Sequence, residues 1–89
     1  MNARVILGSL ALDLERVALG YYRGSEKMAR IFSDEAIKRK EELQLLKVKP
    51  YIKKILDTLE CVLSQKDHKK IAEDALMYST LLQNAAIVE

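Results

Sequence analysis

The stretch from residue 20 to residue 26, Gly-Tyr-Tyr-Arg-Gly-Ser-Glu, constrains the fold of this chain more than any other feature. It either separates two helices of about twenty residues or lies inside one helix of twice that length. Gly24 suits the left-handed residue that follows a helix, and Ser25 suits the cap that begins the next helix. The charges of Arg23 and Glu26 complement a helix end and a helix start. These local signals predict a break.

The apolar pattern around this stretch favours a continuous helix instead. At about 100° per residue, the apolar side chains before the stretch and after it point in nearly the same direction. Two interior glycines would cost such a helix only about 2 kcal/mol relative to alanine, which tertiary packing can offset. We predict the break, and we keep as the alternative one long N-terminal helix plus a helical hairpin, in a dimer.

Composition and spacing predict a single helical domain over residues 1–89. The chain is 49% hydrophobic, with one Pro and three Gly, and it is too short for a second domain. Apolar residues three and four apart predict helices that begin after Asn2, at about residue 26, at Pro50 and after Asp67. Short turns join helices of similar length. We therefore predict an all-α fold, an up-down antiparallel four-helix bundle.

Two helices carry more apolar surface than one buried face can hold. The first has its main stripe at Leu7, Leu10 and Leu14, and a second apolar line on another side of the cylinder, which consists of Val5, Leu12 and Leu19. The fourth has no charged residue from Ala75 through Val88. Three of its apolar residues fall roughly opposite the inward stripe: Met77, Leu81 and Val88. They belong either to a buried or fraying C-terminal end or to a surface for another chain.

The basic residues form two clusters. Lys47, Lys49, Lys53 and Lys54 surround the start of the third helix, and a second cluster at the start of the fourth consists of Lys66, Lys69 and Lys70. Lysines at a helix start oppose the helix dipole, so helix stability does not explain them. Contacts to nucleic-acid phosphates need such clusters, although antiparallel helices would place these two at opposite ends of the bundle. Exposed aromatic residues that could stack on bases are scarce in the sequence.

A third group of basic residues, Lys38-Arg39-Lys40, is predicted to be part of a solvated helix face. Asp34 and Glu35 each precede a member of the group by four residues, a spacing that forms ion pairs on exposed helices.

The sequence offers no constellation for catalysis or for metal binding. One His and one Cys cannot build a zinc site. An all-carboxylate site would draw on Asp34, Glu35, Glu73 and Asp74, but adjacent acids on a helix point about 100° apart. We expect Cys61 to be a buried, inert thiol and His68 to be a solvated residue near a helix start. We expect no enzyme activity, no cofactor, and no catalytic or metal-binding residues.

These observations lead to two functional hypotheses. The first is a non-enzymatic protein–protein interaction module, a small accessory or scaffolding subunit that self-associates or docks on a larger complex. Its interface would comprise Val5, Leu12, Leu19, Met77, Leu81 and Val88. The alternative is a small nucleic-acid-binding protein that uses the basic clusters, with Lys47, Lys49, Lys53 and Lys54 as its contacts. A single cysteine and the lack of a long apolar run favour a cytoplasmic location without membrane contact.

Overall fold

In a computed structural model, which describes residues 2–88, the chain forms an antiparallel four-helix bundle. The helices are α1 (Ala3–Tyr22), α2 (Glu26–Gln44), α3 (Pro50–Leu63) and α4 (His68–Val88), and no strand occurs among the described residues. Helix α1 packs closely against α2 and α4, and α3 contacts the same two helices on the other side. The bundle measures 35 × 19 × 19 Å. The predicted all-α bundle is confirmed.

The break between α1 and α2 is also confirmed, and the alternative of one long helix is wrong. Gly24 has a φ of 74°, the left-handed conformation that side chains with a Cβ rarely adopt. The Ser25 hydroxyl then accepts a 3.2 Å hydrogen bond from the Met28 backbone N–H and caps α2. The apolar phase continues across the turn because both helices face the same core, not because they are one helix.

The other helix starts follow the predicted local chemistry. The Asn2 side chain accepts a 3.0 Å hydrogen bond from the Val5 N–H, and Pro50 occupies the first turn of α3. Asp67 Oδ1 accepts hydrogen bonds from the N–H groups of Lys69 and Lys70, at 3.0 and 3.3 Å. Each cap satisfies donors that have no partner within the helix.

The core is aliphatic and runs the length of the bundle, with α1 as its largest contributor. The three buried polar or charged residues among residues 2–88 are Asp13, Lys40 and Ser79. Ser79 lies where α4 meets α1, and its hydroxyl donates a 2.6 Å hydrogen bond to the Ala11 carbonyl oxygen. This contact places Ser79 level with Ala11 along the bundle.

The prediction of a solvated Lys38-Arg39-Lys40 face is wrong for Lys40. Its side chain is buried, and its Nζ lies 2.8 Å from Glu60 Oε1 of α3. Lys40 follows Ala36 by four residues and precedes Leu43 by three, so it shares the inner side of α2 with these two buried residues.

The ion pairs of the other two residues also differ from those predicted. Lys38 pairs with Glu35 at 3.4 Å, not with Asp34, and Arg39 pairs with Glu42 at 3.0 Å and lies 4.0 Å from Asp13.

The expected settings of Cys61 and His68 need correction too. Cys61 is exposed, because it follows the buried Leu59 by two residues and therefore points about 200° away from it. His68 is exposed as predicted, yet its ring also packs on Tyr21, with ring centroids 4.6 Å apart and an interplanar angle of 30°. The two residues join the end of α1 to the start of α4.

Candidate interaction surfaces

Helix α1 exposes two of the three residues of its second apolar line. Val5 is 48% exposed and Leu12 is 43% exposed, whereas Leu19 is half-buried. The inner side of the same helix is filled by residues with no exposed surface, including Leu7 and Leu14. The seven-residue spacing of Val5 and Leu12 therefore places both on the outer side of α1, away from the core.

Helix α4 exposes five large apolar side chains in its charge-free half. Their exposed fractions are 44% for Leu76, 49% for Met77, 44% for Leu81, 72% for Ile87 and 62% for Val88. These exposed fractions contradict a buried C-terminal end, one part of the alternative for these residues. Sequence reasoning named Met77, Leu81 and Val88 but missed Leu76 and Ile87. The absence of charges over the whole stretch was the signal that could have found them.

These side chains form two separate lines on α4. Ser79 contacts α1, and Leu76 precedes it by three residues while Ile87 follows it by eight, so both lie toward α1. Leu81 follows Asp74 by seven residues, and Asp74 accepts a 3.0 Å hydrogen bond from Gln65 in the α3–α4 turn. Met77, Leu81 and Val88 therefore lie toward α3. The line on α1 (Val5 and Leu12) and the line on α4 (Met77, Leu81 and Val88) are therefore not adjacent to each other. Leu76 and Ile87 lie between them and connect α4 to the outer face of α1.

The basic cluster at the start of α3 is exposed to solvent. Lys47, Lys49, Lys53 and Lys54 are all exposed. Tyr51 lies between them in the sequence and is 46% exposed. The expectation that exposed aromatic residues are scarce is therefore wrong at this cluster. Beside the cluster is a hollow of about 330 Å³ whose walls include Lys47 and Lys53 together with Leu46 and Val48.

The second basic cluster lies at the opposite end of the bundle, as predicted. Lys66, Lys69 and Lys70 are exposed, but Lys70 Nζ is 2.9 Å from Asp74 Oδ1. The hydrogen bonds from Lys70 and Gln65 lower the pKa of Asp74 below its ordinary value. In return, the hydrogen bond to Asp74 raises the pKa of Lys70. Part of this cluster is therefore already neutralised within the chain.

Asp13 is the buried acid of the part of the chain that the structure describes. It is 7% exposed and faces Arg39 across the α1–α2 contact, with Asp13 Oδ2 and Arg39 Nε 4.0 Å apart. Neither of these two atoms has a hydrogen-bond partner. Burial raises the pKa of Asp13, and the nearby Glu35 adds to this effect, whereas Arg39 and Arg16 oppose it.

No group of three or more His, Cys, Asp or Glu residues within residues 2–88 is arranged to hold a metal ion. Of the four acids considered from the sequence, Asp74 is engaged with Lys70 and Gln65. None of the four helices, over the same residues, combines the length and the apolar character needed to cross a membrane.

The chain matches no protein-family model, and searches of curated proteins and of solved structures also found no match.

Proposed function

We propose that this chain is a non-enzymatic protein–protein interaction module, a small accessory or scaffolding subunit that self-associates or docks on a larger complex in the cytoplasm. The observation that carries the proposal is the C-terminal half of α4, where five large apolar side chains are 44 to 72% exposed and no charged residue intervenes. Depletion of charge together with exposed Met and aliphatic side chains is typical of the centre of a protein interface.

The outer face of α1 extends this apolar surface. Val5 and Leu12 are exposed on the helix that packs directly against α4. Scattered single apolar residues are ordinary on protein surfaces, but apolar residues on two adjacent helices form a patch. Among residues 2–88 we found no cluster of acid, base and nucleophile, which favours binding over catalysis.

The proposal is tested by single charge substitutions on each helix. We expect Leu81→Glu and Leu12→Glu to lower the mass of the assembly, measured by light scattering, or to abolish capture of the partner from the native cell. Both side chains are already exposed, so helicity by circular dichroism should not change. Leu45→Glu is the matched control, because Leu45 is 88% exposed and lies after α2, outside the patch. Unchanged mass and unchanged capture in both variants would refute the proposal.

A second candidate function is nucleic-acid binding through Lys47, Lys49, Lys53 and Lys54. The exposed ring of Tyr51 among these lysines favours it, because aromatic side chains stack on bases while lysines contact phosphates. We expect retention on single-stranded nucleic acid at low salt, with steep weakening as salt rises.

Two sets of variants separate specific contacts from general attraction. Lys53→Glu combined with Lys54→Glu should abolish retention, whereas Lys66→Glu combined with Lys69→Glu at the other end of the bundle should reduce it less. Tyr51→Ala should weaken binding by about 1 to 3 kcal/mol if the ring stacks on a base. No retention of the wild-type chain at low salt would exclude this function.

A further inference from the structure

Two glycines of α1 lie in contrasting surroundings. A Cβ on Gly20 would lie 2.7 Å from the Ala29 backbone nitrogen, so this glycine lets α2 approach α1 closely. A Cβ on Gly8 would meet no atom within 4 Å, and Gly8 is exposed. Glycine inside a helix is unfavourable relative to alanine. No contact among residues 2–88 explains why position 8 is a glycine.

Gly8 shares the outer face of α1 with Val5 and Leu12, within about 60° of both. A glycine on a helix surface allows the backbone of a second helix to come close, as Gly20 does within the chain. Two exposed apolar side chains flank Gly8 and could pack on either side of such a contact. The face therefore has the features of a helix crossing whose second helix belongs to another molecule.

We propose that a second copy of this chain packs face to face on α1, with the two α1 helices antiparallel and the two-fold axis between Gly8 and Ser9. This proposal rests on the self-association included in the proposed function and specifies its geometry. In a two-fold interface, residue i of one copy contacts residue j of the other, and the reverse contact also forms. Val5 and Leu12 are equidistant from this axis, so each Val5 would pack on Leu12 of the other copy.

The register of α4 leads to the same axis. The hydrogen bond from Ser79 to Ala11 places these two residues level along the bundle. The midpoint between Val5 and Leu12 lies two and a half residues from Ala11, toward the start of α1. The midpoint between Leu76 and Ile87 lies two and a half residues from Ser79, toward the end of α4. Because the two helices are antiparallel, these are the same direction along the bundle. An axis that pairs Val5 with Leu12 therefore also places Leu76 of one copy opposite Ile87 of the other.

The charges at the edge of the face favour the antiparallel arrangement. Arg4 and Glu15 lie on the α4 side of α1, on opposite sides of the proposed axis, and neither forms an ion pair within residues 2–88. An antiparallel copy brings Arg4 near Glu15 of the other chain. A parallel two-fold copy would place the two Arg4 side chains on opposite edges of the face, at the same height, so that neither Arg4 nor Glu15 would gain an oppositely charged partner from this pair.

The size of the face fits a stable dimer. The bundle is 35 Å long and 19 Å wide, so a whole face of it is comparable with the roughly 800 Å² that each partner contributes to a standard interface. The outer face of α1 alone would be too narrow. The adjoining edge of α4, with Leu76 and Ile87, supplies the remaining contact.

The first test measures dimer affinity by sedimentation equilibrium over a range of concentrations. We expect the wild-type chain to dimerise and Gly8→Leu to weaken dimerisation at least about tenfold, because a side chain there separates the two helices. Gly8→Ala should weaken it less. Both variants should remain helical, since space around Gly8 is open within one chain. Glu41→Leu, at an exposed position of α2, is the control and should leave the affinity unchanged. A dimer whose affinity Gly8→Leu does not change would overturn the proposal.

The second test determines orientation. Arg4→Glu and Glu15→Arg should each weaken the dimer, and the two changes combined in one chain should restore it. In a Cys61→Ser background, chains with Val5→Cys mixed with chains with Leu12→Cys should form a mixed disulfide dimer on mild oxidation. Disulfide formation between two Val5→Cys chains, or failure of the double charge reversal to restore affinity, would overturn the antiparallel geometry.

The outcomes also separate this proposal from the proposed function. A monomeric chain that captures a different protein, with capture lost in Leu81→Glu, overturns the two-fold dimer and leaves the proposed function intact. A dimer that persists in the Gly8→Leu variant but dissociates in the Leu81→Glu variant also overturns the two-fold α1 dimer and leaves the proposed function intact. A chain that neither self-associates nor captures any partner overturns both.

Discussion

Ser79 of α4 donates a 2.6 Å hydrogen bond to the Ala11 carbonyl oxygen of α1, and the serine is only 1% exposed. Its hydroxyl oxygen also accepts a hydrogen bond from Gln83 Nε2 at 3.2 Å. A small polar residue at this contact lets α1 and α4 pack closely, and its bond is compatible with one register of the two helices. The register places Leu76 and Ile87 beside the outer face of α1, within the proposed interaction surface.

We predict that Ser79→Ala lowers the free energy of unfolding by about 1 to 2 kcal/mol, because it removes a buried hydrogen bond while leaving the space nearly filled. Urea unfolding followed by circular dichroism measures the effect. Thr80→Ala is the control, since the Thr80 hydroxyl is exposed and bonds only within its own helix turn, to the Leu76 carbonyl. A loss in Thr80→Ala equal to that in Ser79→Ala would show that the interhelical bond is not the cause.

Glycine-to-alanine substitutions are predicted to have opposite signs at two positions of α1. Gly20→Ala should destabilise the fold by about 1 to 3 kcal/mol, because the new Cβ would lie 2.7 Å from the Ala29 backbone nitrogen. Gly8→Ala should stabilise the monomer by up to about 1 kcal/mol, because the helix gains propensity without a clash. Thermal unfolding at concentrations where the chain is monomeric compares the two. A stabilised Gly20→Ala variant would contradict the close α1–α2 approach.

Removal of Glu60 and removal of Lys40 should change the free energy of unfolding by different amounts. Glu60→Gln leaves the Lys40 ammonium buried without its carboxylate, so we expect a loss of about 1 kcal/mol, limited by the exposure of Glu60. Lys40→Met keeps the apolar stem and removes the charge, and should be nearly neutral. Urea unfolding of both single variants and of the double variant measures the coupling. Equal losses in the two single variants would argue against a buried ammonium.

Asp13 should make the fold less stable as pH rises. Its pKa in the folded chain lies above the ordinary value of 3.8, so the folded state holds the proton more tightly than the unfolded state. The stabilisation from protonated Asp13 is complete below the unfolded pKa and is lost as pH rises through the folded pKa. Asp13→Asn should therefore gain stability relative to wild type between pH 4 and pH 7, measured by urea unfolding at both values.

Asp74→Asn is the control for this pH dependence. Its stability relative to wild type should fall as pH rises, opposite to that of Asp13→Asn. The pKa of Asp74 is lowered by its hydrogen bonds from Lys70 and Gln65, so its contribution is present above the unfolded pKa and is lost as pH falls. Relative to wild type, Asp74→Asn should be less stable at pH 7 than at lower pH. The same direction of change in both variants would contradict the assigned environments.

Much of the fold follows from signals that act within one helix turn. The caps at Asn2, Ser25 and Asp67 and the proline at the start of α3 all lie where the sequence predicts them. Gly24 decides the turn after α1 because its positive φ ends the helix locally. Each of these features depends on residues at most five positions apart in the chain, so the sequence pattern contains them.

The candidate interaction surface was predictable only in part. The apolar residues Val5, Leu12 and Leu81 are exposed as the helical spacing indicates, but Leu76 and Ile87 join the surface because α4 lies against α1 in one register. The buried setting of Lys40 and the exposed setting of Cys61 were likewise missed. Both depend on which side of a helix its neighbours occupy, which periodicity alone does not specify.

The sequence by itself therefore determined four helices, their caps, the break at Gly24 and an excess of apolar surface on α1 and α4. Only the tertiary structure decided which residues meet across helices: Ser79 with Ala11, Asp13 with Arg39, and Lys40 with Glu60. It also showed that Gly20 is covered by α2 while Gly8 lies open. The physical reason is range, because caps and periodicity act over a few residues, whereas the contacts between helices depend on the packing of the whole core.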